Sequence, residues 1–429
     1  MRKMILITVF LTFACRIHAQ SAAAELRNNP QLSAGNFMAY SQSSNCVLTP
    51  APAGKRAFYI SHYGRHGSCY HSKMRNYDLP WQVMSTADSL HMLTPLGKEV
   101  LQQIVQMRQE AQHRWGELTP LGIQQQRDIV HRMVDRFPEV FAGEAHIDAK
   151  STVIGRSILS MENALLQLLS MNPNLRITHD ASYYYMDYLD QTDKTLTTHR
   201  QDSLARNAFR QYVDRHNGDT LFLRRLFNNQ DYIHRIDELD DFRDLLFKLA
   251  SNQQNTLLGN APPLYRIYTD EEIRQSWLRD NAWWYTNYGA YQINGGLQPY
   301  TQRNLLRKII EDADSCLRLE KPGVQLRYGH DVDIMPLVCL LDMNGYGLSI
   351  YHLEELESKG WINYRVIPMA ANIQMVFYRQ DAADTDVLFK VLLNEREATL
   401  PLPDERKPYY RWSDFKKYYL NKLEQYAKS

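Results

Sequence analysis

A strand that ends directly in an Arg-His-Gly turn is the feature that most constrains the fold of this chain. Residues 57–61 (AFYIS) are apolar and aromatic, which is typical of a buried strand, and they are followed by Tyr63-Gly64-Arg65-His66-Gly67. A histidine at that place can attack phosphorus, an arginine can hold phosphate oxygens, and a glycine lets the backbone come close. The motif therefore favours a sheet with phosphoryl chemistry at the end of one strand.

The composition is that of an ordinary globular protein. The chain has 429 residues, of which 44% are hydrophobic and 23% are charged, and its formal net charge is +1. This length allows two to three domain-sized units with a large core. The near-zero charge gives no general attraction to nucleic acid or to an anionic membrane, so we expect neither as a partner. Any anion site must be built locally.

The N-terminus has the order of a secretory signal peptide. Arg2 and Lys3 precede an apolar run over residues 4–14, and residues 17–19 form a cleavage site before Gln20. We predict that residues 1–19 are removed and that the protein is exported, to the periplasm or to the outside of the cell. A lipid anchor on Cys15 is an alternative that residues 12–14 (TFA) disfavour. No later segment is long and apolar enough to anchor the mature chain.

The cysteines and histidines give no metal-binding pattern. Four cysteines remain after removal of the signal, which allows three disulfide pairings, and the one in the apolar run 336–341 is predicted to be a buried thiol. Three histidines within residues 62–71 could ligate zinc, but no HExxH spacing supports it. The cysteines are Cys46, Cys69, Cys316 and Cys339, and the histidines are His62, His66 and His71.

The order of predicted elements indicates an α/β protein with a helical insertion. Thr94-Pro95 and Thr119-Pro120 are helix starts, and apolar spacing continues the second helix to Phe137. Residues 146–147 read as a strand, 157–170 as a helix, and 374–378 with 387–393 as a hairpin. Between them, residues 176–324 show aromatic-rich helical patterns. We predict an α/β fold with a central, mostly parallel sheet, formed by residues 46–175 and 325–429, and a helical cap over 176–324.

Two further clusters bear on the chemistry. Gly329-His330-Asp331 precedes the apolar run 334–341, so a histidine and a carboxyl group stand at the start of a predicted helix. Arg156 lies between a predicted strand and a predicted helix, a position suited to an anion-binding arginine. Alone, the first would read as a turn with an Asp cap and the second as a surface ion pair. Their order after the Arg-His-Gly motif is what gives them weight.

This combination resembles the histidine phosphatase superfamily, in the branch of histidine acid phosphatases and phytases. Further segments look like the multiple inositol polyphosphate phosphatase group of that branch, and the similarity covers nearly all of the mature chain. These segments are Asn172-Pro173, the aromatic run 183–188, Trp284-Tyr285 with Asn287-Tyr288-Gly289, and residues 391–401. The resemblance implies a phosphatase fold and a small phosphorylated substrate.

The resemblance also implies roles for individual residues. His66 would attack phosphorus and form a phosphohistidine, with its other ring nitrogen held by a hydrogen bond, expected from a backbone carbonyl. Arg65, Arg156 and His330 would clamp the phosphoryl oxygens, and Asp331 would protonate the leaving oxygen. No metal or other cofactor is implied, because the cationic side chains supply the charge stabilisation.

The sequence departs from the family pattern at two places. The pattern is Arg-His-Gly-x-Arg, but position 69 is Cys, so one phosphate-clamping arginine is missing. Losing such a donor costs about 2–4 kcal/mol in other enzymes. We expect Lys73 or Arg75 to compensate, with Lys150 adding charge near Arg156 and with His62 and His71 at the pocket rim. The second departure is His330-Asp331-Val332, where the inositol polyphosphate group typically has His-Ala-Glu.

Three readings of the function follow. The first is an exported phosphomonoesterase that hydrolyses inositol polyphosphates such as phytate. The second keeps the chemistry but prefers other small monoesters, such as sugar phosphates or nucleotides. The third is a phosphate-ester-binding homologue whose catalysis is impaired, a reading that Cys69 alone supports. The oligomeric state stays open.

Overall fold

The computed structural model describes residues 21–41, 47–190, 193–218, 220–403 and 406–428. The predicted signal peptide over 1–19, the alternative anchor Cys15 and the cysteine Cys46 lie outside these residues. Within them, no helix combines the length and the apolar character needed to cross a bilayer.

In the described chain, eight strands form one sheet with the order β3-β2-β4-β1-β5-β6-β7, and β8 pairs with β6. The inner strands are almost wholly buried because helices cover both faces, which explains their continuous apolar runs. The strands are β1 (Arg56–Arg65), β2 (His146–Ser151), β3 (Arg176–Ala181), β4 (Gly323–Gly329), β5 (Asn372–Arg379), β6 (Leu388–Leu393), β7 (Arg396–Ala398) and β8 (Tyr410–Arg411).

The four strands β3, β2, β4 and β1 are parallel, and the rest of the sheet is antiparallel. Strand β4 lies between β1 and β2, with Arg65 opposite Gly329 and Ser151 opposite Tyr328. The carboxyl ends of these three strands therefore meet at one edge of the sheet. The predicted hairpin is confirmed as β5 and β6. The α/β fold with a central sheet flanked by helices is also confirmed.

The helices begin where the capping signals place them. Thr94 and Thr119 each accept a hydrogen bond from the amide of the glycine three residues on, at 3.0 Å and 3.3 Å. The helices are α1 (Ala22–Asn28), α2 (Arg75–Ser89), α3 (Pro95–Ala111), α4 (Pro120–Arg136), α5 (Gly155–Met171), α6 (Met186–Leu189), α7 (Lys194–Arg200), α8 (Ser203–Arg215), α9 (Leu221–Leu226), α10 (Gln230–His234), α11 (Leu239–Asn252), α12 (Asp270–Tyr288), α13 (Arg303–Cys316), α14 (Asp331–Leu340) and α15 (Trp412–Lys428).

The helical region is assembled from two parts of the sequence. Helices α6 to α13 follow one another between β3 and β4, as the helical patterns indicated. A buried apolar cluster joins some of them to α2 and α3, with Met84 and Ile104 packing in the same core as Phe222 and Leu246. Strand β3, which begins at residue 176, belongs to the sheet, so the helical region starts later than the sequence indicated. The division into two domains stays a prediction.

Candidate active site

The sequence-predicted catalytic residues come together at the carboxyl edge of the sheet. His66 follows β1, His330 follows β4, and their rings lie 5.5 Å apart in an edge-to-face arrangement. The His66 amide donates to the Gly329 carbonyl oxygen over 3.1 Å, which ties the two strand ends together. At Gly67 a Cβ atom would lie 2.2 Å from the Gly122 carbonyl oxygen, so the close approach of α4 requires glycine there.

His66 is held in one tautomer by its neighbour. Its Nδ1 lies 2.9 Å from the Gly67 carbonyl oxygen, so Nδ1 carries the hydrogen and donates it, and Nε2 keeps its lone pair. This is the backbone hydrogen bond that the sequence led us to expect. Burial lowers the pKa of His66 well below its ordinary value, and the charges of Arg65 and Arg156 lower it further. Both effects favour the neutral imidazole, whose Nε2 lone pair is free to act as a base or a nucleophile.

Arg65 is buried and pre-positioned by several acceptors. Its Nη1 donates to the carbonyl oxygens of Asn36 and Ile367 at 2.5 Å and 2.9 Å, and its Nη2 lies 2.8 Å from Oδ2 of Asp331. Its Nε has no hydrogen-bond partner among the described residues. A buried donor without a partner is costly, and a phosphoryl oxygen is an acceptor that Nε could bind.

Asp331 is ionised in this arrangement. Burial by itself raises the pKa of Asp331, but the net shift is downward because Arg65, the Asn36 side chain, His330 and the Val332 amide stabilise the carboxylate. Asn36 Nδ2 donates to Oδ2 over 2.8 Å, and the Val332 amide donates to Oδ1 over 2.9 Å. The predicted proton donor is therefore a carboxylate when these groups surround it.

Arg156 and His330 complete the cluster. Arg156 stands in the first turn of α5, half-buried, and its charge contributes to the lowered pKa values of both His66 and His330. His330 has its pKa lowered to about 4, mainly by burial, and its Nε2 lies 3.3 Å from Thr152 Oγ1. The charges or dipoles of three side chains, Arg65, Arg156 and His330, thus act on His66.

The positive charges of Arg65 and Arg156 also act on position 69. Cys69 is buried and a free thiol, and its backbone pairs with that of Leu118 in an isolated β-bridge. Burial raises the pKa of the Cys69 thiol, while Arg156 and Arg65 act in the opposite direction. The thiol stays neutral, so it supplies no positive charge where the family pattern has an arginine.

Two of the three cations predicted near the site, Arg75 and Lys150, are paired with carboxylates. Arg75 pairs with Glu238 and, at 2.5 Å, with Asp241, and all three side chains are exposed. Lys73 is exposed in the loop before α2. Lys150 donates to Asp148 over 2.6 Å and lines a separate polar cavity of about 350 Å³ on the face of the sheet. Arg75 and Lys150 thus each have a carboxylate partner, and the assignment of Lys73, Arg75 and Lys150 to substrate binding stays a prediction.

The prediction that His62 and His71 lie at the pocket rim is wrong. His62 is buried against the Tyr328 ring, and burial together with the charge of Arg327 lowers its pKa to about 3. His71 is buried beside Phe37, and its Nε2 donates to the Lys248 carbonyl oxygen over 3.1 Å; its pKa is lowered to about 4. Both rings are neutral core residues, so neither adds positive charge at moderately acidic pH.

Two parts of the site have no signal in the sequence. Asn36, which orients Asp331, lies 295 residues before it in a stretch of short helical turns, Pro30–Phe37. Asp331 also borders a cavity of about 570 Å³ that carries five aromatic rings and three carboxyl groups. The side chains that line this cavity include Phe37, Phe209, Phe247, Trp283, Trp284, Asp244, Asp280, Lys248 and Arg279. They come from distant segments, so no local spacing could have grouped them. Among the described residues, no group of three or more potential ligands could hold a metal ion.

Comparison with known proteins agrees with this geometry. The sequence model of the histidine phosphatase superfamily (branch 2) matches residues 65–394. The chain therefore belongs to the histidine phosphatase superfamily, branch 2. It is an enzyme of the histidine acid phosphatase type.

Solved structures share the fold at low sequence identity. The multiple inositol polyphosphate phosphatase of Bifidobacterium longum, in its complex with phosphate, is 15% identical, with a TM-score of 0.76 over 91% of this chain and 98% of that one. In its complex with inositol hexasulfate, the same phosphatase is 16% identical, with a TM-score of 0.73 over 90% of this chain and 96% of that one. The phytase of D. castellii is 12% identical, with a TM-score of 0.64 over 92% and 85% of the two chains.

Proposed function

We propose that this protein is an exported phosphomonoesterase that hydrolyses phosphate esters, inositol polyphosphates in particular, through a phosphohistidine intermediate. The observation that carries the proposal is the state of His66. Its Nδ1 is fixed on the Gly67 carbonyl, its ring is neutral, and the charges or dipoles of three side chains act on it. This is the arrangement that in-line attack on a phosphoryl group requires.

In the first step, the lone pair of His66 Nε2 forms a bond to phosphorus while the bond from phosphorus to the alcohol oxygen breaks. The unpartnered Arg65 Nε, together with Arg156 and His330, binds the equatorial phosphoryl oxygens and offsets the charge on them. The departing alkoxide is basic and needs a proton, which Asp331 is placed to give once it is protonated.

In the second step, water attacks the phosphohistidine. The bond from Nε2 to phosphorus breaks, its electron pair returns to the ring, and inorganic phosphate leaves. Asp331, now a carboxylate, accepts a proton from the attacking water. His66 returns to the neutral form that burial favours, which completes the cycle.

The substrate class is inferred from the solved relatives. Two of them are named as phosphatases of inositol polyphosphates or of phytate, and one binds inositol hexasulfate. At 12–16% identity these likenesses concern the fold. They make inositol phosphates the first substrates to test.

The cavity next to Asp331 favours a second candidate. The alcohol part of a substrate would lie on the Asp331 side, and this cavity carries five aromatic rings and three carboxyl groups beside the two cations Lys248 and Arg279. Such walls suit an apolar or aromatic alcohol better than a ring that bears several phosphates. A nucleotide or another monoester with a flat, uncharged alcohol part is therefore the alternative.

The test is phosphate release by the wild type and by His66→Ala from phytate, a nucleoside monophosphate and nitrophenyl phosphate. We expect release by the wild type, loss of release in His66→Ala, and an acid-labile phosphoenzyme that forms only when His66 is present. Preference for phytate over the other esters supports the first candidate, and the reverse supports the second. Binding of these esters without phosphate release and without a phosphoenzyme would contradict the proposal. The protein would then be interpreted as a phosphate-ester-binding homologue.

Mass spectrometry of protein from the culture medium and periplasm tests export.

A further inference from the structure

A second buried carboxyl group shares the cavity of Asp331. Asp280, on α12, lines the same cavity of about 570 Å³. Its Oδ2 accepts a hydrogen bond from Asn363 Nδ2 over 2.7 Å. The side-chain amide of Asn363 is held in one orientation, because its Oδ1 accepts a hydrogen bond from Trp277 Nε1 over 3.0 Å. One oxygen of Asp280 is thus fixed, and the other is available to carry a proton.

Two consecutive residues, Gly35 and Asn36, lie next to Asp280 and Asp331 respectively. Asn36 donates to Asp331 over 2.8 Å. The residue before it, Gly35, has a φ of 56° and lies so close to Asp280 that a Cβ atom would be 2.3 Å from Oδ2. Consecutive Cα atoms are about 3.8 Å apart. Asp280 therefore lies against Gly35, Asp331 is bound by the side chain of the next residue, and both carboxyl groups line the same cavity.

Burial of Asp280 favours its protonated form. Burial raises the pKa of Asp280 to about 7, the Asn363 side chain and Lys248 oppose that rise, and the charge of Asp331 adds to it. The other charged and titratable groups that face it are Asp244 on α11, Arg279 on its own helix and the buried phenol of Tyr265. Below about pH 7 Asp280 holds a proton that Asp331 lacks.

The reaction needs such a proton. Asp331 is ionised while Arg65 and Asn36 hold it, yet the leaving alkoxide must be protonated. When a phosphate ester binds, its negative charge offsets that of Arg65 and makes a proton on Asp331 more favourable.

We propose that Asp280 is the proton reservoir of the site and passes its proton to Asp331 when a phosphate ester binds. The transfer converts a protonated Asp280 and an ionised Asp331 into an ionised Asp280 and a protonated Asp331. Asp331 then gives the proton to the alcohol oxygen. The proton that Asp331 takes from the hydrolytic water returns to Asp280, so no proton is lost over a cycle. Asp280 acts through Asp331 and is a positioning residue. This inference rests on the proposed phosphatase function.

The kinetic test compares Asp280→Asn with two other variants. Asp280→Glu restores the carboxyl group, and Glu271→Gln removes a carboxylate from an exposed position of the same helix, outside the cavity. Glycerol phosphate has a basic leaving group, whereas nitrophenyl phosphate leaves without help. We expect Asp280→Asn to lower kcat about tenfold to a hundredfold for glycerol phosphate and little for nitrophenyl phosphate. We also expect the fall of kcat above about pH 7 to vanish in this variant, Asp280→Glu to regain activity, and Glu271→Gln to match the wild type.

Infrared difference spectra test the proton without turnover. Below about pH 7, the wild type should show a protonated carboxyl band that is absent from Asp280→Asn and that shifts on addition of inorganic phosphate. An equal loss of kcat for both esters, no loss, or the same carboxyl bands in the two proteins would overturn the inference. If the wild type releases no phosphate from either ester, the phosphatase function fails, and the infrared result still decides whether Asp280 holds the proton.

Discussion

At the scale of single residues, position 69 limits how tightly the site can hold a phosphoryl group. Cys69 is buried in the field of Arg65 and Arg156, and its thiol is neutral. Arg75, the nearest arginine along the chain on the C-terminal side, is engaged with Glu238 and Asp241. The cationic set around the nucleophile therefore has one member fewer than the family pattern.

Replacing Cys69 tests this limit directly. We expect Cys69→Arg to raise kcat/KM about tenfold to a hundredfold, because it adds a charge-assisted donor aimed at the transferring group. Cys69→Ser, which keeps the size but not the thiol, should leave the rate close to that of the wild type. Steady-state kinetics with melting temperatures for all three proteins makes the comparison. A strong loss of activity in Cys69→Ser would show that the thiol itself takes part.

The sequence predicted single residues well where a motif fixed them. His66, Arg65, Arg156, His330 and Asp331 each stand at a strand end or a helix start, and those elements converge in the structure. Side chains in the interior of a strand were harder to place. His62 and Lys150 lie on strands, and which face of the sheet each one occupies depends on register, which a single sequence does not reveal.

At the scale of elements, the start of α4 supports the loop that follows His66. Thr119 caps α4, and both its amide and its hydroxyl donate to the Ser68 carbonyl oxygen, at 2.9 Å and 3.3 Å. The same sequence signal caps α3 through Thr94, whose hydroxyl instead donates to Arg225 in the helical region. Two similar caps thus have different neighbours.

The two caps make a matched pair of variants. We expect Thr94→Ala and Thr119→Ala each to lower the free energy of unfolding by about 1 kcal/mol, because each loses the capping hydrogen bond. Only Thr119→Ala should also lower kcat, since it loosens the loop that follows His66. Urea unfolding and phosphate release measure the two effects. Equal loss of kcat in both variants would contradict the link between α4 and the loop.

Element prediction from the sequence was accurate where caps and prolines mark the ends of helices. Helices α3, α4 and α5 and the hairpin of β5 and β6 lie close to where the patterns indicated. The extent of the helical region was not visible, because α2 and α3 join it through buried apolar side chains from distant segments. The Asn36 contact was hidden for the same reason.

At the scale of the whole molecule, buried histidines make the fold sensitive to acid. His62 is buried with no partner for either ring nitrogen among the described residues, and its pKa is lowered to about 3. His71 and His330 have pKa values lowered to about 4. In the unfolded chain these rings take up protons below about pH 6.5. The folded state does not, so stability is lost as pH falls from there toward these lowered values.

A substitution at His62 should remove part of this dependence. We expect His62→Phe to lose less stability than the wild type between about pH 6.5 and pH 5, by about 1.4 kcal/mol per pH unit, because one ring no longer titrates in the unfolded state. His199→Phe, at an exposed histidine of α7, is the control and should keep the wild-type slope. Urea unfolding at a series of pH values gives the slopes. Parallel slopes for His62→Phe and the wild type would show that His62 is charged in the fold.

The place of β1 in the sheet has a consequence for the timing of synthesis. Within the described residues, β1 pairs only with β4 and β5, and β4 begins at residue 323. At about 5–20 residues per second, the ribosome takes roughly tens of seconds to travel from the end of β1 to β4. Throughout that interval the apolar first strand emerges without a partner and must be kept from aggregating. A messenger cut short before β4 would yield a polypeptide that contains the nucleophile but has no catalytic centre.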